Sequence, residues 1–498
     1  MKGLIVWGTT SDAGKSYIVT ALCRALANRG YSVAPFKGQN MSNNSYITKE
    51  SREIGRSQGL QAEACRTEAT VDMNPVLLKP RSDRKAEVII QGISSGSPEA
   101  GDYRGKYMSL AKEAIQLSLK RLEKEYDFII MEGAGSPVEI NLMDTDLANL
   151  YTAETAGVPA LLVADIERGG VFAQLYGTEK LLPSDHRERL AGIIVNRFRG
   201  DPALFTDGVK WIEENVSPVL GVLPKLDIAM EREDSLSLNR LTENNTSASV
   251  IDLAFIALPY ISNYTDVEPF TAEPDVSIRF IHAAEDFGDP DAVIIPGTRS
   301  TILDLHHLER SGTAALLKSY INSGGTVAGI CGGLQMLGEE LIDEEGNDSG
   351  TAGTRAAGLG ILPLVTSFEA EKTTRRWSGR QEENEPIHGY EIHTGRSSIT
   401  YSAEVVPLFY SNSGGEPEGI VSHNGRITGT YLHHVFHNDE WRSRWLNQVR
   451  KHKNLPGLDV VYYEKEKDQR LDELAAAFER HVNVDDLIDL MESTADDK

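Results

Sequence analysis

Two short stretches of this sequence combine residue types and spacings that could do chemistry. In Val-Ala-Gly-Ile-Cys331-Gly-Gly-Leu-Gln-Met-Leu-Gly, an apolar run leads straight into a cysteine flanked by glycines, and a helical pattern follows. A nucleophile on such a sharp strand-to-helix turn is exposed at the sheet edge above a helix N-terminus, which favours thiolate. A buried structural cysteine would not need the flanking glycines. The second stretch is Gly8-Thr9-Thr10-Ser11-Asp12-Ala13-Gly14-Lys15-Ser16, again between an apolar run and a helical pattern. Backbone N–H groups spaced this way can wrap a phosphate, Lys15 can reach the outer phosphates and Ser16 can ligate Mg²⁺.

Other residues fall where they could serve these two sites. A thiol needs a base, and Gly429-Thr-Tyr-Leu-His433-His434-Val-Phe ends a strand pattern with two adjacent histidines. Opposite faces of a strand send only one of them inward, and the sequence leaves open which. Ile295-Pro296-Gly297-Thr298 ends another strand and could supply one oxyanion N–H, with Gly332 N–H as the second. Glu132, at the end of Phe128–Glu132 and before two close glycines, is a plausible Mg²⁺ ligand. Asp165 ends a further strand and is either a ligand or the cap of the next helix. Asn196 ends a third and could meet a nucleobase edge. The amide-rich Phe36-Lys37-Gly38-Gln39-Asn40-Met41-Ser42-Asn43-Asn44 suits either a polar ligand or an ordinary turn.

The elements that must position these residues are legible as alternating β and helical patterns. Gly3–Trp7, Tyr31–Pro35, Phe128–Glu132, Ala160–Asp165, Ala191–Asn196 and Val219–Leu223 are continuous apolar runs, as expected for parallel strands covered by helices on both faces. A second α/β series has strands at Leu253–Leu258, Ala292–Pro296 and Thr326–Cys331, with short β segments at Gly389–His393 and Gly429–Leu432. The expected domains are 1–235 for the nucleotide fold, a polar linker at 236–250, 251–458 for the thiol domain, and an acidic helical tail at 459–498. Asp343–Thr354 and Glu371–Pro386 are expected as surface loops. In the tail, Leu471, Leu474, Ala475 and Phe478 share one helical face, and Val482–Met491 can form another helix, so packing is its expected role.

Composition narrows the function classes. The 498 residues are 40% apolar, enough for several cores, and 50 Lys+Arg against 74 Asp+Glu give a formal charge of −24. A field of that sign repels phosphate backbones and anionic lipid, so nucleic acid and membrane surfaces are not expected partners. Three scattered cysteines make no disulfide framework. The opening MKGLIVWGTTSDAGKS has no small-residue cleavage site, and no run of ~18 apolar residues appears, so a cytoplasmic location is expected.

Together these blocks carry a family resemblance. GICGGLQMLGE, IIPGTRST, HGYEIHTG and GTYLHHVF resemble the class I glutamine amidotransferase domain. PFKGQNMSNNS, NPVLLKP, MEGAGSPVEINL, ADIERGGVFA, NRFRGD and GVLP, with GTTSDAGKS, resemble the synthetase domain of the cobyric acid synthase family, whose nucleotide fold is similar to dethiobiotin synthetase. The match runs in order over nearly the whole chain. It implies a P-loop doubly wound parallel sheet followed by a class I amidotransferase-like α/β domain. It also implies ATP- and glutamine-dependent amidation of peripheral carboxylates of adenosylcobyrinic acid a,c-diamide. Under it Cys331 attacks glutamine and His433 moves the proton, while Gln335, Gly297 and Gly332 position substrate and oxyanion. Gly8, Thr9, Asp12, Gly14, Lys15, Ser16 and Asn196 hold ATP, and Ser16 and Glu132 hold Mg²⁺. Lys37, Lys79, Arg81, Arg168 and Arg197 are candidate contacts for the anionic corrin, or equally surface charges.

The sequence also departs from the wider pattern. Val435 stands where class I amidotransferases carry a Glu that orients the histidine, so a loosely held base and a slow or coupled glutaminase are expected. His434 replaces a small residue, and Gly8 to Gly14 is one residue longer than the strict phosphate-loop spacing. Cobyrinic acid a,c-diamide synthase is the nearest rival, followed by CTP synthase. A partition-type ATPase would carry an additional lysine early in the loop, where this chain has Gly8-Thr9-Thr10.

Overall fold

The computed structural model describes residues 1–82, 85–96, 107–226, 228, 250–381, 385–401, 405–422 and 424–496. It divides into two units, Met1–Glu233 with Lys467–Lys498, and Asp234–Glu466. Apart from Val250, the expected linker at 236–250 lies outside the described residues.

The first unit is built on strands β1 (Gly3–Gly8), β2 (Val33–Phe36), β3 (Phe128–Glu132), β4 (Ala160–Asp165), β5 (Leu190–Phe198) and β6 (Val219–Pro224), all parallel in the order β6-β5-β4-β1-β3-β2. Successive residues feed opposite cores. Ile5, Trp7, Ile129, Met131, Leu162 and Ile193 join one cluster, while Leu4, Val6, Phe128, Ile130, Leu161 and Ile194 join the other. This two-sided burial is why the strands are unbroken apolar runs. The strand order reverses beside β1, and the carboxyl ends there are where a doubly wound sheet gathers ligands.

The acidic tail completes the second of these cores. Helices Tyr463–Glu479 and Val484–Asp496 contribute Leu471, Leu474, Ala475, Phe478, Leu487 and Met491, packed with Ile18, Val19 and Leu22 of the Lys15–Asn28 helix. Arg24, fully buried, bonds Asp472 at 2.7 Å and also pairs with Asp468.

The second unit carries a parallel series, β7 (Ile251–Ile256), β8 (Val276–Ile281), β9 (Ala292–Ile295) and β10 (Thr326–Ile330), in the order β8-β7-β9-β10. β11 (Ile427–Thr430) lies parallel beside β10. The edge strand β8 is absent from the sequence reading because its inward residues alternate with Ser277 and Arg279, the latter held by Asp252 at 2.9 Å. Glu371–Pro386 is also different from expectation. Through Arg380 it is the far half of a long strand, Leu364–Arg380, paired antiparallel with Pro386–Ile399 from Thr373↔His393 to Arg380↔Pro386. A strand with one solvated face is as polar as a loop over a short window, and only Trp377 and Gly379 turn inward there.

Candidate active site

At the end of β10 the chain turns through Cys331 at φ 51°, ψ −106° and enters a short helix, Gly332–Leu337. The glycines are required by close approach. A Cβ on Gly333 would lie 2.1 Å from Ile295 O, and one on Gly332 would lie 2.5 Å from Thr298 Cγ2. Cys331 N donates to Thr430 O at 2.7 Å, tying the turn to β11.

Of the two histidines, His433 is the fully buried one, and the Cys331 thiol acts on it electrostatically. Its backbone bridges to Tyr390 through bonds of 2.9 and 3.2 Å. The His434 ring instead stacks on His437 at 4.0 Å. His433 Nδ1 lies 2.8 Å from Asp266 Oδ2, whose partner oxygen accepts from His434 N at 2.6 Å. Asp266 thus takes the place of the glutamate missing at Val435, and the expectation of a loosely held base is overturned. Burial alone would lower the His433 pKa, but the Asp266 carboxylate, with a further contribution from Cys331, raises it to about 10. Asn263 Nδ2 sits 3.3 Å from Nε2.

Gly297, Gly332 and Gln335 gather at the same point. A Cβ on Gly297 would meet His433 Cε1 at 2.6 Å, and Gly332 faces Thr298 N. Gln335, 2% exposed, accepts from Thr301 Oγ1 at 2.9 Å and donates to the Tyr431 hydroxyl at 3.3 Å. Tyr431, stacked on His393 at 3.9 Å, has no role in the sequence reading, although HGYEIHTG and GTYLHHVF carry both residues. The hairpin strand brings Ile392 O to 3.8 Å from Cys331 Sγ. Asp266 had no signal of its own, since it lies outside every quoted block.

In the first unit the loop after β1 bends at Asp12 (φ 58°) and Gly14 (φ 104°). Lys15 Nζ donates to Thr10 O at 3.0 Å and Gly135 O at 2.9 Å. Gly8 packs against the Lys15 side chain, where a Cβ would come within 2.9 Å of Nζ, and Thr9 Oγ1 donates to Gln174 at 3.1 Å. Ser16 Oγ donates to Glu132 Oε1 at 2.9 Å, so the expected metal ligands are adjacent. Burial would raise the Glu132 pKa, but Lys37 Nζ at 2.9 Å, together with Gln61 and Lys15, holds it below the ordinary carboxylate range.

The other candidate residues fall partly within and partly outside those expectations. Lys37 and Lys79 are buried, Lys37 on Glu132 and Lys79 on Glu53 and Ser45, so neither is a surface charge. Asp165 accepts from Glu167 N at 2.8 Å and pairs with Arg197 at 2.7 Å, and it does not cap the next helix, Val171–Leu181, whose N-cap is Gly170. Asn196 Nδ2 donates to Ala13 O at 3.0 Å and braces the phosphate loop. Arg168 is exposed beside Asp12 at 3.4 Å. The side chain of Arg81 lies outside the described residues. Asn40, from the amide-rich segment, is buried against Gln58 at 3.0 Å.

The domain models divide the same way. Residues 4–237 match the CobQ/CobB/MinD/ParA nucleotide binding domain, and residues 252–441 match the CobB/CobQ-like glutamine amidotransferase domain. A cobyric acid synthase of Geobacillus thermodenitrificans is 43% identical over 493 residues, covering 97% of each chain. That of Nostoc punctiforme is 43% identical over 97% of this chain and 99% of its own, and that of Trichodesmium erythraeum is 44% identical with the same coverage. The chain belongs to the cobyric acid synthase family. Cobyric acid synthases are glutamine-dependent amidating ligases of cobalamin synthesis, and both chemical sites of this member suit that activity. The full-length likeness to cobyric acid synthases answers the rival readings of a CTP synthase or a partition ATPase. Among the described residues no helix is long and apolar enough to cross a membrane.

Proposed function

We propose that the chain converts adenosylcobyrinic acid a,c-diamide to adenosylcobyric acid in the cytoplasm, amidating the b, d, e and g carboxylates with ATP as energy source and glutamine as nitrogen donor. The observation that carries this reading is the Cys331–His433–Asp266 assembly in the same chain as a phosphate loop with Ser16 against Glu132. A carboxylate at neutral pH is a poor electrophile, and free ammonia is mostly protonated. One site must therefore activate the acid while the other releases ammonia.

In the glutaminase step Cys331 passes its thiol proton to His433, and Sγ attacks the side-chain amide carbon of glutamine. The oxyanion that forms meets the N–H groups of the Gly297–Thr298 loop and Gly332. His433, kept protonated by Asp266, gives its proton to the departing ammonia, leaving a thioester at Cys331. It then takes a proton from the water that hydrolyses the thioester to glutamate. Gln335, held by Thr301 and Tyr431, positions the substrate.

In the ligase step the phosphate loop cradles ATP, and Lys15 follows the charge of the transferred phosphoryl group. Asn196, braced on the loop, retains an amide hydrogen for a nucleobase edge. The γ-phosphoryl passes to a corrin carboxylate oxygen with release of ADP, and ammonia then displaces phosphate to leave the amide. The hydroxyl of Ser16 and the carboxylate of Glu132 form a hard oxygen pair that fits Mg²⁺. Such an ion would offset charge on the phosphates. Among the described residues no group of three or more His, Cys, Asp or Glu could hold a metal alone.

The test is mass spectrometry of adenosylcobyrinic acid a,c-diamide incubated with protein, ATP, Mg²⁺ and glutamine, beside Cys331→Ala supplied with glutamine or with ammonia. The reading expects successive OH-to-NH₂ replacements, lost in the variant with glutamine and restored by ammonia. Glutamine turnover with no change in corrin mass would leave the amidotransferase half standing and overturn the corrin assignment.

A further inference from the structure

An oxyanion pocket needs its backbone N–H groups held at one point, and in the second unit two aspartates outside the steps above hold the relevant loop. Asp304, fully buried on the Thr301–Arg310 helix, reaches back to the loop. Its carboxyl accepts from Tyr260 N at 3.3 Å and lies within hydrogen-bond reach of Thr298 Oγ1. Asp348 accepts from Thr301 N and Ile302 N at 2.8 Å each, and its own carbonyl accepts from Ser300 Oγ at 3.0 Å. Asp348 is in turn fixed by Asp343, which accepts from Asn347 N at 2.7 Å and Asp348 N at 3.1 Å.

The hydrogen count around Thr298 is informative. Its Oγ1 accepts from Ser300 N at 3.1 Å and lies 3.0 Å from Tyr260 O as well as close to Asp304 Oδ2. A threonine has one hydroxyl hydrogen, which cannot serve two oxygen acceptors at once. Tyr260 O also accepts from Arg299 N at 3.0 Å, so the Thr298 hydroxyl is free to share its hydrogen bond with the Asp304 carboxyl, and Asp304 ties Thr298 to Tyr260 N. In keeping with this geometry, burial, with a smaller push from Asp348, raises the Asp304 carboxyl to about 7 against the pull of Thr298 and Tyr260.

We propose that Asp304 is a positioning residue of the glutaminase step, its carboxyl fixing Thr298 and hence the Gly297–Thr298 backbone against Gly332. Thr298 N faces Gly332, at 3.1 Å from where a Cβ would stand, so a shift of this loop moves the pocket directly. The same helix start carries Thr301, whose hydroxyl holds Gln335, so the loop and the substrate-positioning glutamine share one support. The inference rests on the proposed glutaminase chemistry at Cys331.

The test measures kcat and KM for glutamine hydrolysis by the full-length enzyme, with Cys331→Ala as blank, and the rate of Cys331 alkylation by iodoacetamide, which forms no oxyanion. Asp304→Ala is expected to lower kcat by about 10- to 100-fold, less than the ~10²–10³ for outright loss of a donor, while KM and the alkylation rate stay within about threefold. Asp304→Asn, whose amide can donate to Thr298 and accept from Tyr260, is expected to restore kcat to within about threefold of the parent. Thr298→Val, which keeps the shape and removes the hydroxyl, should fall with Asp304→Ala and decides the matter if that variant does not fold. Unchanged kcat in Asp304→Ala or Thr298→Val, an Asn variant as slow as the Ala variant, or alkylation falling in step with kcat would each overturn the proposal. A parent enzyme that turns over glutamine no faster than Cys331→Ala would instead overturn the glutaminase reading, and this inference with it.

Discussion

From Gly8 to Ser16, consecutive residues lay out most of the proposed phosphate-binding surface, and Glu132, Gly135 and Asn196 are added from elsewhere. The thiol site is assembled the other way, with Asp266 lying 167 residues before the histidine it orients. The electrostatics differ as well. In the first unit, cations hold a buried carboxylate ionised; in the second, a buried carboxylate holds an imidazole protonated. A site laid out along one loop announces itself in sequence, whereas a site closed by a distant side chain can lose its usual third member at one position and regain it at another. The second unit is the case in point, with Val435 where a glutamate is usual and Asp266 holding the imidazole from the 3-10 helix Tyr264–Ala272 between β7 and β8.

That contrast can be broken most sharply at Asp266. Asp266→Asn keeps the shape but removes the charge that raises the His433 pKa, and a fall of about 10³–10⁴ in glutaminase kcat is expected, on the scale seen when the acid of a catalytic triad is neutralised. Ammonia-supported amidation should be unchanged. Lys15→Ala is the mirror experiment. ATP-dependent amidation should drop by about 10²–10³ with either nitrogen source, while the nucleophile site keeps its reactivity toward iodoacetamide.

Smaller effects bear on stability. Lys37→Met leaves Glu132 buried without its closest cation, and a loss of about 3 kcal/mol is expected from denaturant unfolding. Glu418, buried and accepting from Thr430 Oγ1 and Tyr431 N at 2.6 Å each, is pushed by burial up to about 8. Its folded pKa is above its unfolded value near 4.5, so its stabilising share is complete below ~4.5 and is lost as pH rises through about 8. Glu418→Gln should therefore flatten the fall in Tm between pH 6 and pH 9, and at pH 9 the variant should be the more stable by roughly 1–3 kcal/mol. A parallel fall in both proteins would place the pH dependence elsewhere.

The parallel strands were legible because burial on both faces leaves unbroken apolar runs, and the strained turn at Cys331 was legible because close approach to Ile295 and Thr298 demands glycine. The hairpin through Glu371–Arg380 was not, since a solvated face makes a strand look like a loop, and β8 was hidden by the same alternation at an edge. Lys37 and Lys79 show a related limit. Charge in sequence suggests surface, but each is buried where a carboxylate waits, and only the fold brings Glu132 and Glu53 to them. Asp266 was illegible for the plainest reason, because nothing near it in sequence distinguishes an orienting acid from any other aspartate.

The claim that a distant aspartate completes the thiol site is tested most directly by following the His433 imidazole through a pH titration by ¹⁵N NMR in the parent and in Asp266→Asn. The account predicts an imidazolium that persists above pH 8 in the parent, consistent with a pKa raised to about 10, and one that titrates several-fold more easily, toward the ordinary histidine range, in the variant. A neutral His433 at pH 7.5 in the parent, or identical titrations in the two proteins, would contradict it.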